Sequence, residues 1–252
     1  MSALDPQPHA VLERSSRERK AKKIEQLLSP YCSIAGSNIL EVGAGSGYIS
    51  HYLARTAGDT GSVMAVDVID QRQQTDGYSF QLVTDTQLPF DDRSFDLVVS
   101  NHVIEHVGDR AAQLRHLIEI RRVLDTDGCL YLAVPNRWTL VEPHFRLPFL
   151  SWLPRSLRSA YVRLAARGEV YDCDPPSYRE MVALFKGAGF RPRDLSIEGI
   201  SALGQIEASS SLLRFLLTRS RYWAPPARPI LPSFLFVAMP LAEKALAGTS
   251  PR

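Results

Sequence analysis

The chain has 252 residues, 45% hydrophobic and 22% charged, which is ordinary for a folded soluble protein and enough for one domain with a full core. Three cysteines, Cys32, Cys129 and Cys173, are odd in number and far apart, which argues against a disulfide framework and a paired-cysteine metal site and fits a reducing cytoplasm. A polar, charged N-terminus and the absence of any run approaching ~18 apolar residues argue against a signal peptide and a spanning helix. The net charge of +2 hides an asymmetry: residues 1–136 carry 13 Lys/Arg against 18 Asp/Glu, and residues 137–252 carry 16 against 9. Such a difference bears on partners rather than on fold.

In chain order, Val11 to Leu28 has helical spacing and a basic face (Arg17, Arg19, Lys20, Lys22, Lys23), read as a solvated helix over a sheet and stopped by Ser29-Pro30. Residues 1–35 are taken as this N-terminal helical segment and 36–252 as the main domain. Asn38 to Val42 reads as a short buried strand, followed by a turn at Gly43, Gly45 and Gly47 and a helix over Ser46 to Arg55. Val63 to Val66 forms a second strand ending at Asp67, and Gln81 to Asp85 a third, also ending in an acid. Phe95 to Ser100 is apolar enough for a central strand, Arg110 to Leu124 is an amphipathic helix, and Asp127 to Pro135 is the next strand. This alternation implies parallel strands with right-handed crossovers, an α/β doubly wound, Rossmann-like sheet between two helix layers.

The glycine spacing separates two ligand classes. A dinucleotide fingerprint is Gly-x-Gly-x-x-Gly, whereas this run is Gly-x-Gly-x-Gly with Glu41 before it at the strand end. A carboxylate there suits a cationic amine better than phosphates. Glu41-x-Gly-x-Gly-x-Gly, Asp67, Asp85, Leu-Pro-Phe at 88–90, Phe95-Asp-Leu-Val-Val-Ser and Ile-Glu-His-Val resemble, in order and spacing, class I S-adenosylmethionine-dependent methyltransferases of the small-molecule type, over about residues 36–135. The resemblance implies a seven-stranded sheet whose last strand is antiparallel. Its final strands would be Arg191 to Glu198 and Ser233 to Met239, preceded by a helix from Tyr178 to Ala188. It also implies cofactor roles. Glu41 and the loop Gly43, Ala44, Gly45 and Gly47 would hold the methionine end, Asp67 with Val68 the ribose, Asp85 with the backbone at Thr86 the adenine amino group, and the backbone near Asn101 would pass the methionine moiety.

His102-Val-Ile-Glu105-His106 also matches a zinc-peptidase signature, His-x-x-Glu-His. If helical, the two histidines would share a face and could bind zinc. The string sits at a central strand's end inside the cofactor pattern, so no metal is expected.

The long insertion from Asn136 to Pro176 emerges where ligands of such sheets bind, and should choose the substrate. Its Glu142-Pro-His144 and following Leu-Pro-Phe-Leu-Ser-Trp-Leu-Pro resemble bacterial methyltransferases of surface polysaccharides and lipid-linked metabolites. Residues 136–168 hold six arginines against one acid, interleaved with aromatics. Pro154 to Arg167 is a candidate amphipathic helix, with Leu157, Tyr161 and Leu164 on one face and Arg158, Arg163 and Arg167 flanking. Two readings stay open: a lid packed on its own domain, or a helix resting on anionic lipid through residues 145–167 and 212–223. No nucleic-acid module is visible. Methyl transfer to a hydroxyl needs alignment and benefits from a base. The candidates are His144, then His102 and His106, with Glu142 orienting His144 or acting itself. His9, His51 and His116 are assigned to surface or packing. The expectation is a methyltransferase acting on a small or lipid-linked acceptor at oxygen, cytoplasmic or at the inner membrane face. A quinone-like carbon acceptor and a non-catalytic scaffold are the alternatives.

Overall fold

The structure, a computed structural model, describes residues 13–207 and 210–242. Strands β1 (Asn38–Val42), β2 (Ser62–Asp67), β3 (Ser79–Leu82), β4 (Phe95–Asn101), β5 (Leu124–Pro135), β6 (Phe190–Asp194) and β7 (Ser233–Pro240) form one sheet in the order β3-β2-β1-β4-β5-β7-β6. The first five run parallel, and β7 is antiparallel to both of its neighbours, so the seven-stranded sheet has its last strand reversed, as the sequence implies.

Period-two side-chain alternation makes both faces of the central strands apolar and yields two cores. Leu40, Val42, Val98, Leu130 and Leu132 face one core with Leu117 and Ile120 of α3 (Arg110–Val123) and Met181 and Phe185 of α5 (Tyr178–Gly187). Ile39, Leu97, Val99, Tyr131 and Ala133 face the other, with Ile24 and Leu28 of α1 (Arg14–Leu28), Ile49 and Leu53 of α2 (Tyr48–Ala57) and Ala202 of α6 (Ser196–Ile206). The result is a three-layer α/β/α arrangement. Local chemistry fixes the helix starts: the Asp109 carboxylate accepts from Ala112 N at 2.9 Å to open α3, and Ser177 with Glu180 forms a capping box at α5.

Several boundaries differ from the sequence reading. The second helix begins at Tyr48, because Gly47 still has the left-handed φ of 80°. The third strand ends at Leu82, since β2 stops at Asp67 and leaves it no neighbour, and Asp85 lies beyond it in a turn that accepts from Gln87 N at 2.6 Å. The sixth strand stops at Asp194, whose carboxylate accepts from Ser196 N at 2.8 Å and turns the chain into α6. Residues 196–198 are therefore helix rather than strand. Gly199 lets that helix lie on β7, because a Cβ there would sit 2.3 Å from Leu235 Cδ1. The stretch before β7 adds α7 (Ser211–Thr218) and α8 (Ser220–Trp223). Val11 and Leu12 of the first helix reading, and His9, lie outside the described residues. The basic face of α1 is not wholly solvated: Lys22 is exposed, but Arg17, Lys20 and Lys23 are half-buried.

The insertion has its own small core of Phe145, Leu147, Leu150, Val162, Tyr171 and Cys173, with α4 (Arg155–Leu164) on one side. Arg158 is not a flanking cation. It is 2% exposed and donates to the carbonyls of Leu153 (2.8 Å) and Ser151 (3.0 Å), stapling the helix to the loop before it.

Candidate active site

The glycine turn follows β1 at the C-terminal edge of the sheet. Gly43 N and Ala44 N both donate to Val66 O, at 2.8 and 3.1 Å, which draws the turn against the end of β2. Gly47 is sterically required: a Cβ on it would lie 2.1 Å from Gln74 O and 2.2 Å from the Tyr78 hydroxyl. Gly47→Ala should therefore destabilise the chain by about 2–4 kcal/mol in denaturant unfolding, combining a left-handed φ penalty with overpacking; a change below ~1 kcal/mol would contradict this packing.

Glu41 is 1% exposed and accepts a hydrogen bond from Ser50 Oγ. Burial pushes its carboxyl up to about 8, against the opposing pull of that hydroxyl and of Arg17 on α1. Such a group is primed for a cation that restores its charge. Asp67 ends β2 with its carboxylate already ordered, Oδ2 accepting from Gly45 N at 2.8 Å and Oδ1 from Val68 N at 2.7 Å, while Val68 stands 52% exposed beside it. Asp85 is exposed, Thr86 half-buried and Asn101 half-buried at the end of β4. A buried anion, a glycine turn and an ordered acid at adjoining strand ends fit the ammonium and ribose of S-adenosylmethionine.

The base candidates gather at one point. Glu105 is fully buried in a short 3-10 turn (Ile104–His106) after β4. Its Oε1 lies 3.5 Å from His102 Nδ1, 3.5 Å from His144 Nε2 and 4.0 Å from His106 Nε2. His102 takes a left-handed φ of 60°, held by its N–H donating to Ala133 O at 2.9 Å. That turn breaks the pattern before any helix face can form, so His-x-x-Glu-His surrounds its glutamate instead of striping a helix. His144 reaches the cluster from the insertion. Burial alone would raise Glu105, but the surrounding histidines outweigh it and hold the carboxyl far below its ordinary range. Burial and Lys20 push His102 down to about 4, so it is neutral. His144 is raised despite burial because the Glu105 carboxylate stands 3.5 Å from it.

The sequence offered Glu142 as orienting His144 or as a base itself. Its Oε2 accepts from Phe145 N at 2.7 Å and closes the turn that presents the imidazole, while burial raises its carboxyl. Sequence reasoning weighed Glu105 only within the zinc motif; its place between two histidines was the available signal. Cys173, with Sγ 3.7 Å from His106 Nδ1, gave no signal, because 67 residues separate the two. His116 is a buried packing residue, and His51 sits 2.8 Å from Asp76 O. The insertion is bound to the site's own backbone: Asp174 N donates to Glu105 O at 2.7 Å, and Arg110 Nη1 reaches the Asp174 carboxylate at 2.9 Å.

Comparison with known proteins agrees with this layout. Residues 40–132 match a family model described as a methyltransferase domain. A probable S-adenosylmethionine-dependent methyltransferase of Mycobacterium tuberculosis is 34% identical over 48% of this chain and 43% of its own length. An O-methyltransferase of Aspergillus sclerotiorum is 30% identical over 58% of this chain and 60% of its own. The chain thus spans about half the length of these curated relatives. The fold also matches an S-adenosylmethionine-dependent methyltransferase structure from Mesorhizobium loti, with TM-score 0.54 and 15% identity, covering 84% of this chain and 95% of that one. Residues 40–132, built around the Glu41 glycine turn, thus match a methyltransferase domain, and over that stretch the chain is similar to S-adenosylmethionine-dependent methyltransferases.

Proposed function

We propose that the chain transfers a methyl group from S-adenosylmethionine to a hydroxyl of a small or lipid-linked acceptor, with His144 as the base. The observation that carries this reading is His144 Nε2 poised 3.5 Å from buried Glu105 at the cofactor end of the sheet. The bound donor supplies a carbon already activated by its sulfonium. Glu41 and the glycine turn orient the donor. The insertion excludes water and positions the acceptor oxygen. As the methyl carbon passes from sulfur to oxygen, the His144 imidazole would take the hydroxyl proton on the ring nitrogen that does not face Glu105, and Glu105 would stabilise the imidazolium. A paired carboxylate makes the histidine a stronger base, which is the direction of its shift.

The lipid-linked part rests on the insertion's surface. Trp138, Phe149 and Trp152 are exposed and meet edge to face, with centroids 5.5 and 5.2 Å apart. Leu157 and Leu164 are exposed beyond them, among exposed Arg146, Arg155, Arg163 and Arg167. On α7, Leu212, Leu213, Phe215 and Leu216 are also exposed. Aromatic, leucine and arginine side chains in this mixture suit the surface of an anionic membrane. No helix among the described residues is long and apolar enough to cross one.

The test uses labelled donor with lipid and aqueous extracts, alongside flotation on vesicles with and without anionic lipid. Label in a methyl ether from the lipid fraction, with flotation on anionic vesicles, is expected. Label on a ring carbon would overturn the oxygen reading in favour of a quinone-like acceptor; a demethylmenaquinone methyltransferase of Roseiflexus castenholzii is 31% identical over 46% of this chain. Donor binding without transfer to any fraction would favour a scaffold.

A further inference from the structure

The cluster around Glu105 has more ligating atoms than proton transfer needs. His102, Glu105 and His144 each present one ligand atom, and the three lie within 4.8 Å of one another. The two edges from Glu105 Oε1, to His102 Nδ1 and His144 Nε2, are both 3.5 Å. Nitrogen and oxygen ligands on a tetrahedral zinc-class ion, at metal distances of ~2.1 Å, stand ~3.4 Å apart. The edges therefore match a metal-ligand triangle, and are longer than direct hydrogen bonds of a charged pair, ~2.8 Å.

Three further observations point the same way. Both carboxylate oxygens of Glu105 are buried with no hydrogen bond of good geometry, an expensive state for an anion. His102 keeps a left-handed φ, rare outside glycine, and this turn aims its ring at Glu105. His106 stands just outside the triangle, its Nε2 4.0 Å from Glu105 Oε1 and its Nδ1 on Cys173 Sγ, where a small rotation brings a fourth ligand.

We propose that His102 Nδ1, Glu105 Oε1 and His144 Nε2 form a binding site for a zinc-class divalent cation. Two imidazoles and a carboxylate with a free position select a borderline transition ion over magnesium or calcium, which demand more oxygen ligands. A second trio, His106, His144 and Cys173, shares one histidine with the first. The first is preferred, because it alone includes the buried glutamate whose oxygens lack a hydrogen bond of good geometry. Negative charge from Glu142 and Asp172, which act on His144 with Glu105, offsets the nearby Lys20. An ion on the nitrogen that faces Glu105 would take the place of the carboxylate that supports the imidazole, so a loaded site withdraws His144 from base catalysis.

The test is titration of the full chain with cobalt(II), a spectroscopic stand-in for zinc, followed by visible absorption and metal analysis. One cobalt per chain is expected, with the intense visible bands of a four- or five-coordinate ion, displaced by zinc. Glu105→Gln should weaken binding more than the ~10–100-fold that outer-shell changes cost. His102→Asn tests the same point in a variant that keeps the left-handed turn, since asparagine tolerates it, and should lose affinity equally. Cys173→Ser should retain the spectrum. Wild-type protein holding no more cobalt than His102→Asn would overturn the site, and so would a sulfur-to-cobalt charge-transfer band that vanishes in Cys173→Ser. Binding is read without turnover, so failure here is distinct from failure of the methyl-transfer reading.

Discussion

His144→Ala should lower kcat for the acceptor by about 10²–10⁴-fold, the range a positioned general base contributes, while leaving donor affinity within about twofold. The separation follows from placement. His144 belongs to the insertion and lies 3.5 Å from Glu105, whereas the proposed donor-binding groups Glu41 and Asp67 belong to β1 and β2, and Gly47 to the turn that opens α2. Glu105→Gln should follow in the same direction but less steeply, since the imidazole remains and only its counter-charge is lost. Glu142→Gln should have a small effect on kcat, because its carboxylate serves the turn at Phe145. Single-turnover transfer with the acceptor found by labelling separates these outcomes. If His144→Ala retained full turnover, the base would have to be sought elsewhere; if Glu142→Gln fell as far as His144→Ala, the presenting turn would matter as much as the base.

Glu41→Gln should move stability and donor affinity in opposite directions. The folded carboxyl titrates at about 8, against an ordinary value of 4.5. Between those values the folded chain keeps a proton that the unfolded chain has shed, so stability falls as pH rises through that window. Glutamine has no such cost and still accepts from Ser50. At pH 8 the variant should therefore be more stable than the parent by ~4 kcal/mol, with the difference vanishing below pH ~4.5. The donor should bind about 10–100-fold more weakly, the worth of a charge-assisted hydrogen bond to its ammonium. For the parent, binding near pH 7 should release a proton and tighten toward pH 8, as the ammonium draws Glu41 into its charged form. Thermal unfolding across pH, with calorimetry in two buffers of different ionisation enthalpy, reads both. Equal donor affinity in parent and variant would remove Glu41 from the methionine end.

The sheet was legible because its pattern is local. Five parallel strands announce themselves by apolar runs punctuated with Gly47, Asp67 and Gly108, and the glycine spacing taken with Glu41 and the motifs after it pointed to the ligand class. Boundaries slipped where a long-range neighbour decides them. Asp85 falls outside β3 because β2 ends at Asp67, and Ser196 opens a helix because Asp194 caps it, facts that no window of residues contains. The basic side chains of α1 read as solvated because periodicity cannot show that Arg17 faces Glu41 and Lys20 faces His102. The histidine cluster was half legible. The candidates His102, His106 and His144 were identified by type and position, but the glutamate at their centre was masked by a helical motif that a single left-handed residue prevents from forming.

The tether between the insertion and the site carries an engineering consequence. Asp174 reaches the Glu105 backbone, while Arg110 Nη2 donates to Pro175 O at 3.1 Å and Gln113 Nε2 to Asp174 O at 2.9 Å. The insertion is therefore not a cassette that plugs into an indifferent scaffold. A chimera that receives residues 136–176 without Glu105, Arg110 and Gln113 would inherit the loop but not the register that aims its imidazole. Diversification of acceptors on this framework must then proceed by co-inheritance across about 70 residues of chain, from Glu105 to Pro176. The outer aromatic edge at Trp138, Phe149 and Trp152, which makes no such bond to the 105–113 segment, remains the part open to independent change.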